Sequence, residues 1–201
     1  MTNIGILGAG RLGSAIASRL VQAQYKVMLA NRRGPATLAN VVRQLGAGAC
    51  AGTMEDAAAQ PIVILAVRWE DVPNAIDGLD SLAGKIVIDA TNPYAEIDGQ
   101  LVLLDTGGRT SSEVVASYLP HVRLVKAFNT LFAGTLAAAP EEAGGRRVIF
   151  VSGDDIAAKD EVKKIVTNVG WVPLDLGGLV NGGQLQQAGG SLAGVNLIRL
   201  A

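Results

Sequence analysis

The residues best suited to chemistry lie near the start of the chain. Gly8-Ala9-Gly10-Arg11-Leu12-Gly13 is a G-x-G-x-x-G run. It follows a short apolar segment, Ile4 to Leu7, and opens a stretch in which Leu12, Ile16 and Leu20 recur every four residues. A glycine loop between a buried strand and an amphipathic helix suits a dinucleotide. Gly8 permits the tight turn, Gly10 lets a pyrophosphate approach the backbone, and Gly13 lets helix and strand pack closely. The amides of the helix start, with the helix dipole, then face the phosphates. About twenty residues further on, NAD-binding domains usually place Asp or Glu to accept from the ribose hydroxyls. Here the residues are Asn31-Arg32-Arg33, with no carboxylate. A carboxylate repels a 2′-phosphate, whereas guanidinium groups pair with it through charge-assisted hydrogen bonds. One such contact is worth ~1.5–3 kcal/mol, so two can set the cofactor choice, and NADP(H) is the expected ligand.

The elements that must position these residues follow from the apolar pattern. Ile4 to Leu7, Lys26 to Ala30, Ile62 to Val67, Lys85 to Asp89, Val122 to Ala127 and Val148 to Val151 read as strands, most of them buried on both faces. Trp171 to Leu174 contains Pro173, which puts that strand at a sheet edge. Helices are expected over Arg11 to Gln24, after Pro35, after the capping pair Thr110 and Glu113, and between Asp155 and Val169 with Gly170 as cap. Gln24 stands where the first helix would favour a capping glycine. Strands alternating with helices predict a doubly wound α/β fold with a mainly parallel sheet. The expectation is a single domain over residues 1–201, with an α/β core to residue 176 and a glycine-rich helical tail over residues 177–201. That apolar tail packs on the core or against a second copy in a homodimer.

Composition narrows the classes of function. Nearly half of the 201 residues are hydrophobic, enough for a sizeable core, and the formal net charge of −1 gives no global attraction for nucleic acid or an anionic membrane. One cysteine and one histidine exclude an intrachain disulfide, a thiolate cluster and a multi-histidine metal site. Met1-Thr2-Asn3 runs directly into a strand-like segment and no stretch reaches membrane-spanning length, so the expected location is cytoplasmic.

Beyond the glycine loop and Asn31-Arg32-Arg33, the sequence carries Ala66-Val67-Arg68-Trp69-Glu70, Asp89-Ala90-Thr91-Asn92-Pro93, Ser111-Ser112-Glu113 and Val125-Lys126-Ala127-Phe128-Asn129-Thr130. Gly153-Asp154-Asp155 and Pro173-Leu174-Asp175-Leu176-Gly177 complete the set. In this order the motifs resemble the NADPH-dependent coenzyme F420 reductase family, whose domain also forms the cytosolic reductase part of the six-transmembrane epithelial metalloreductases. The resemblance runs over nearly all the chain. It implies a Rossmann-type sheet of about eight strands, NADP(H) across its carboxyl edge, and a flavin-like acceptor, such as coenzyme F420, against the nicotinamide. It also implies that Ala66, Val67, Arg68 and Trp69 border the central phosphates and ribose, and that Asn92 and Pro93 lie beside the nicotinamide ribose. Ala127, Asn129 and Leu131 would line the nicotinamide, with Asn129 able to hydrogen-bond its carboxamide.

The remaining residues have blander readings. Trp69 either stacks near the cofactor or seals the core edge. His121 reads as an exposed loop residue, Cys50 as a buried filler, Glu70 and Asp71 as a solvated helix start, and Asp89 as a strand-end turn. No Ser-His-Asp arrangement and no carboxylate cluster stands out, so no catalytic acid, base or metal ligand is assigned. Hydride transfer needs none, because the cofactor and a small-molecule acceptor carry the chemistry. Two other readings stay open: a noncatalytic NADP(H)-binding sensor or docking module, and a β-hydroxyacid or imine reductase lacking its helical partner domain. The sensor gains if Asn181 to Gly190 folds over the nicotinamide edge and leaves no room for a planar ligand.

Overall fold

The structure is a computed structural model and describes residues 2–200. The first unit is β1 (Asn3–Leu7), α1 (Arg11–Gln22) and β2 (Lys26–Ala30). A 3-10 turn at Pro35–Leu38 leads into α2 (Ala39–Leu45), β3 (Ala49–Ala51), α3 (Met54–Ala58) and β4 (Ile62–Leu65). Then come α4 (Val72–Ile76), β5 (Ile86–Asp89), a hairpin of β6 (Tyr94–Ile97) and β7 (Gln100–Leu103), α5 (Ser111–Tyr118) and β8 (Arg123–Ala127). The last part holds α6 (Ala133–Ala137), β9 (Glu141–Glu142), β10 (Gly145–Gly153), α7 (Ile156–Val169), β11 (Val172–Asp175), α8 (Asn181–Gln186) and β12 (Ile198–Leu200).

Eight strands form the through-going sheet in the order β11-β10-β8-β5-β4-β1-β2-β3, which matches the expected number. The six from β8 to β3 are parallel, while β10 runs antiparallel to β8 and carries β11 parallel to itself at the edge. Strand order reverses between β1 and β4, so the crevice for a ligand opens above their carboxyl ends.

Each central strand feeds both faces of the sheet. Ile62 and Ile64 join one core cluster and Val63 and Leu65 the other, and Ile86 and Ile88 likewise oppose Val87. That is why these segments read as unbroken apolar runs rather than alternating ones. The α1 stripe behaves as its spacing requires: Ile16 and Leu20 are fully buried, and Leu12 packs against the same cluster.

Three expectations need correction. Cys50 is exposed, because β3 is the sheet's edge strand and Cys50 is its middle residue. The hairpin β6–β7 was not anticipated, since β7 lacks a buried face and so has no periodic signature. The tail contains α8 as expected, but it also returns as β12 to pair antiparallel with the first half of β10.

Gln24 does adopt the left-handed conformation, with φ of +66°, and Tyr25 N–H donates back to the Leu20 carbonyl to close α1. A residue with a Cβ is disfavoured there. Gln24→Gly should therefore stabilise the protein by about 0.5–1 kcal/mol, read as a higher urea midpoint at unchanged m-value. An unchanged midpoint would show that the strain is relieved elsewhere.

Candidate nucleotide-binding site

The turn from β1 into α1 is fixed by contacts that exclude side chains. Gly8 has φ of +112°, and a Cβ there would lie 2.3 Å from the Ala66 carbonyl oxygen. A Cβ on Gly13 would lie 1.9 Å from the Gly8 carbonyl oxygen. The fold itself demands these two glycines. Gly10 differs: its φ of −76° and ψ of −169° suit any residue, and nothing stands within 4 Å of where its Cβ would be. The space in front of Gly10 is open, and the protein's own packing does not explain why this position is glycine.

The start of α1 points the same way. Thr110 caps α5 and Asp155 caps α7 with side-chain oxygens, whereas α1 has no side-chain cap and no acidic residue in its first turn. Its first intrahelical bond runs from Ser14 N–H to the Gly10 carbonyl. The preceding amides thus keep their capacity for an anion.

In front of this turn lies a cleft of about 760 Å³ lined by Gly8, Gly10, Asn31, Arg32, Arg33, Met54, Ala66, Val67, Arg68 and Asp71. Asn31 shapes its far end: its Oδ1 accepts from Arg33 N–H at 2.9 Å and its Nδ2 donates to Thr37 Oγ1 at 3.0 Å. This turn presents Arg32 and Arg33, both exposed, to the cleft. Asp71, expected in a solvated helix start, lines the cleft and pairs with Arg32 at 3.3 Å and with Arg68 at 2.9 Å. Trp69 is half-buried and packs on the core beside α4. Met54 and Asp71 were missed as lining residues. The only signal for Asp71 was its i,i+3 spacing from Arg68, which ordinary surface ion pairs share.

The second group lies beyond this cleft, at the ends of β5 and β8. Asn92 and Asn129 face each other: Asn92 Nδ2 donates to the Asn129 carbonyl at 2.8 Å, and Asn129 Nδ2 donates to Asn92 Oδ1 at 3.1 Å. Asn129 Oδ1 is buried and has no hydrogen-bond partner. Pro93 is buried beside them, and Ala127 and Leu131 are buried in the core. The tail closes over this pair. Asn129 Nδ2 also donates to the Gln186 carbonyl at 2.7 Å, and Ala188 N–H donates to Asn92 Oδ1 at 3.1 Å. Arg11 is exposed at the loop, and Ala9 and Leu12 pack on the core beneath it.

Beneath the two asparagines is an ion pair that the sequence reading did not anticipate. Asp89, expected as a strand-end turn, is completely buried and accepts from Lys126 Nζ at 2.9 Å, with Lys126 equally buried. Asp89 also accepts from Ser112 Oγ at 2.5 Å, from Thr91 Oγ1 at 2.7 Å and from Thr91 N–H at 2.9 Å. Lys126 donates in addition to the Thr91 carbonyl at 3.0 Å. Burial pushes the Asp89 carboxyl up, but the Lys126 ammonium and the hydrogen bonds from Ser112 and Thr91 outweigh it and hold the carboxyl below its ordinary range.

A carboxyl depressed in the folded state adds stability above its unfolded pKa of about 3.9, and that stability is lost as pH falls below about 4. Asp89→Asn leaves Lys126 as an uncompensated buried charge, so a loss of about 3–5 kcal/mol at pH 7 is expected. Thermal melts across pH should also show a shallower acid decline below pH 4 for the variant. An acid decline as steep as the wild type's would contradict this.

Comparison with known proteins fits this geometry. Residues 3–93 match the family model described as NADP oxidoreductase coenzyme F420-dependent. A hypothetical protein from Sinorhizobium meliloti has a structure that superposes with a TM-score of 0.92 and 39% identity, covering 99% of this chain and 96% of that one. A structure described as an F420-dependent NADP reductase, from Arthrobacter sp. FB24, superposes with a TM-score of 0.79 and 28% identity, covering 89% of this chain and 86% of that one. Metalloreductase STEAP3 of Rattus norvegicus is 31% identical over 184 residues, which is 91% of this chain and 35% of that protein. The chain thus spans about a third of the length of the curated relatives it matches. No helix among the described residues is long and apolar enough to cross a membrane. In its sheet order, its glycine turn and its matching residues 3–93, this chain is similar to the coenzyme F420-dependent NADP oxidoreductase family.

Proposed function

We propose that this protein binds NADP(H) through the Gly8–Gly13 turn and the Arg32–Arg33 pair and exchanges a hydride with a deazaflavin or flavin acceptor, coenzyme F420 being the leading candidate. The observation that carries the reading is Gly10, whose missing side chain serves no contact within the protein and leaves open the approach that a pyrophosphate needs. The uncapped start of α1 offers its amides to the phosphates. Arg32 and Arg33 supply donors for the 2′-phosphate, while Ala66, Val67 and Arg68 wall the central part of the groove. Asn129 Oδ1, buried and unpartnered, is an acceptor suited to the carboxamide NH₂. When bound, the nicotinamide supplies the hydride, and the residues around it orient the ring and exclude water.

A titration tests the cofactor half of this reading. NADPH should bind more tightly than NADH, and Arg32→Ala or Arg33→Ala should each weaken NADPH by ~10–100-fold while leaving NADH almost unchanged. Gly10→Ala should weaken both nucleotides while leaving the urea midpoint within error of the wild type, since its methyl group enters open space. Equal weakening of both nucleotides by the arginine variants would contradict the 2′-phosphate assignment.

The acceptor half has its own test. A panel of F420, FMN, FAD and ferric chelates with NADPH should give turnover with at least one, seen as bleaching of the oxidised acceptor band. One observation favours a second reading, a noncatalytic NADP(H)-binding sensor: Gln186 and Ala188 of the tail bond to Asn129 and Asn92, the pair proposed to border the nicotinamide. Tight NADPH binding with no turnover across the panel would select the sensor.

A further inference from the structure

Three guanidiniums and a single carboxylate line the cleft in front of Gly10, and the carboxylate is placed where it interferes. Asp71 Oδ1 holds Arg32 Nη1 at 3.3 Å, and its Oδ2 holds Arg68 Nε at 2.9 Å. Arg68 is further engaged by Glu70 at 2.9 Å. Arg33, by contrast, makes no side-chain ion pair among the described residues. Asp71 is the more sheltered partner, with its side chain 27% exposed against 56% for Arg32 and 72% for Arg68, so the arginines must move if the pairs are to part.

We propose that Asp71 is a specificity-determining residue that holds NADPH affinity below what the arginines alone would give and so narrows the preference for NADPH over NADH. The inference rests on the nucleotide reading above. A 2′-phosphate seeking Arg32 must share that guanidinium with Asp71. It then carries about two negative charges within roughly 6 Å of the carboxylate, which at a half-exposed, salt-screened site raises its dissociation constant several-fold. NADH lacks this phosphate and makes no claim on Arg32, so Asp71 leaves it nearly untouched.

Asn is the informative substitution, because it removes the charge but keeps the shape and one acceptor oxygen for a guanidinium. The test is equilibrium titration of Asp71→Asn and wild type with NADPH, NADH and 2′,5′-ADP. The expected result is NADPH and 2′,5′-ADP bound about 3–10-fold more tightly by the variant, with NADH within about twofold of wild type. The gain should shrink at about 0.5 M salt, and it should vanish in Asp71→Asn/Arg32→Ala. Unchanged or weakened NADPH binding would overturn the proposal and make Asp71 an organiser of the arginines instead, and equal tightening of NADH would overturn its specificity. Should the wild type bind neither nucleotide, the nucleotide reading itself falls, and this inference with it.

Discussion

The half of the candidate site around Asn92 and Asn129 depends on one ion pair shut away from water. Asp89 and Lys126 occupy paired positions on the adjacent parallel strands β5 and β8. Bringing both charges out of water is costly, and well-packed apolar residues of similar size would serve stability as well. What this pair adds is definition. Asp89 draws in Thr91 and the start of α5 through Ser112, which sets the path of the chain into Asn92. On the other strand, Gln186 reaches from the tail to the Lys126 carbonyl and to Ser152. The facing of Asn92 and Asn129 is therefore the upper layer of a network whose foundation is electrostatic, completely buried and almost fully hydrogen-bonded.

The two ends of the site rest on different physics. At the Arg32 end, charged side chains stand largely in solvent, where single ion pairs contribute little and salt weakens them. Attraction there is broad, tunable and tolerant of movement. At the Asn129 end, amides and carbonyls meet in a nearly dry environment, and an unpaired acceptor is expensive. The glycine turn is held by close steric contact at Gly8 and Gly13 and by the bond from Gly8 N–H to the Ala30 carbonyl.

Much of the fold could be read from local pattern. The strands β1, β2, β4, β5 and β8 announce themselves because each is buried on both faces, and α5 and α7 because Thr110, Glu113 and Asp155 cap them with side chains the sequence displays. Cys50, the β6–β7 hairpin and β12 escaped because edge strands and exposed hairpins lack an apolar period. In the site, the glycine loop and Asn31-Arg32-Arg33 were plain because residues close in sequence build them. Asp89 with Lys126, and Asp71 with Arg32, were not, because such partners lie 37 and 39 residues apart and a single sequence gives no measure of who faces whom.

That difference in span has an architectural consequence. Every residue lining the cleft before Gly10 falls between positions 8 and 71, so one contiguous stretch of chain assembles the whole cleft. The asparagine pair beyond the cleft is stitched from residues near 90, near 129 and near 187, brought together by closing long loops. Sequence change in the first can be compensated by close neighbours, whereas change in the second must be answered from distant parts of the chain. The segment of Gln186 and Ala188, which closes over Asn129 and Asn92, therefore ties the end of the chain to two segments far from it in sequence.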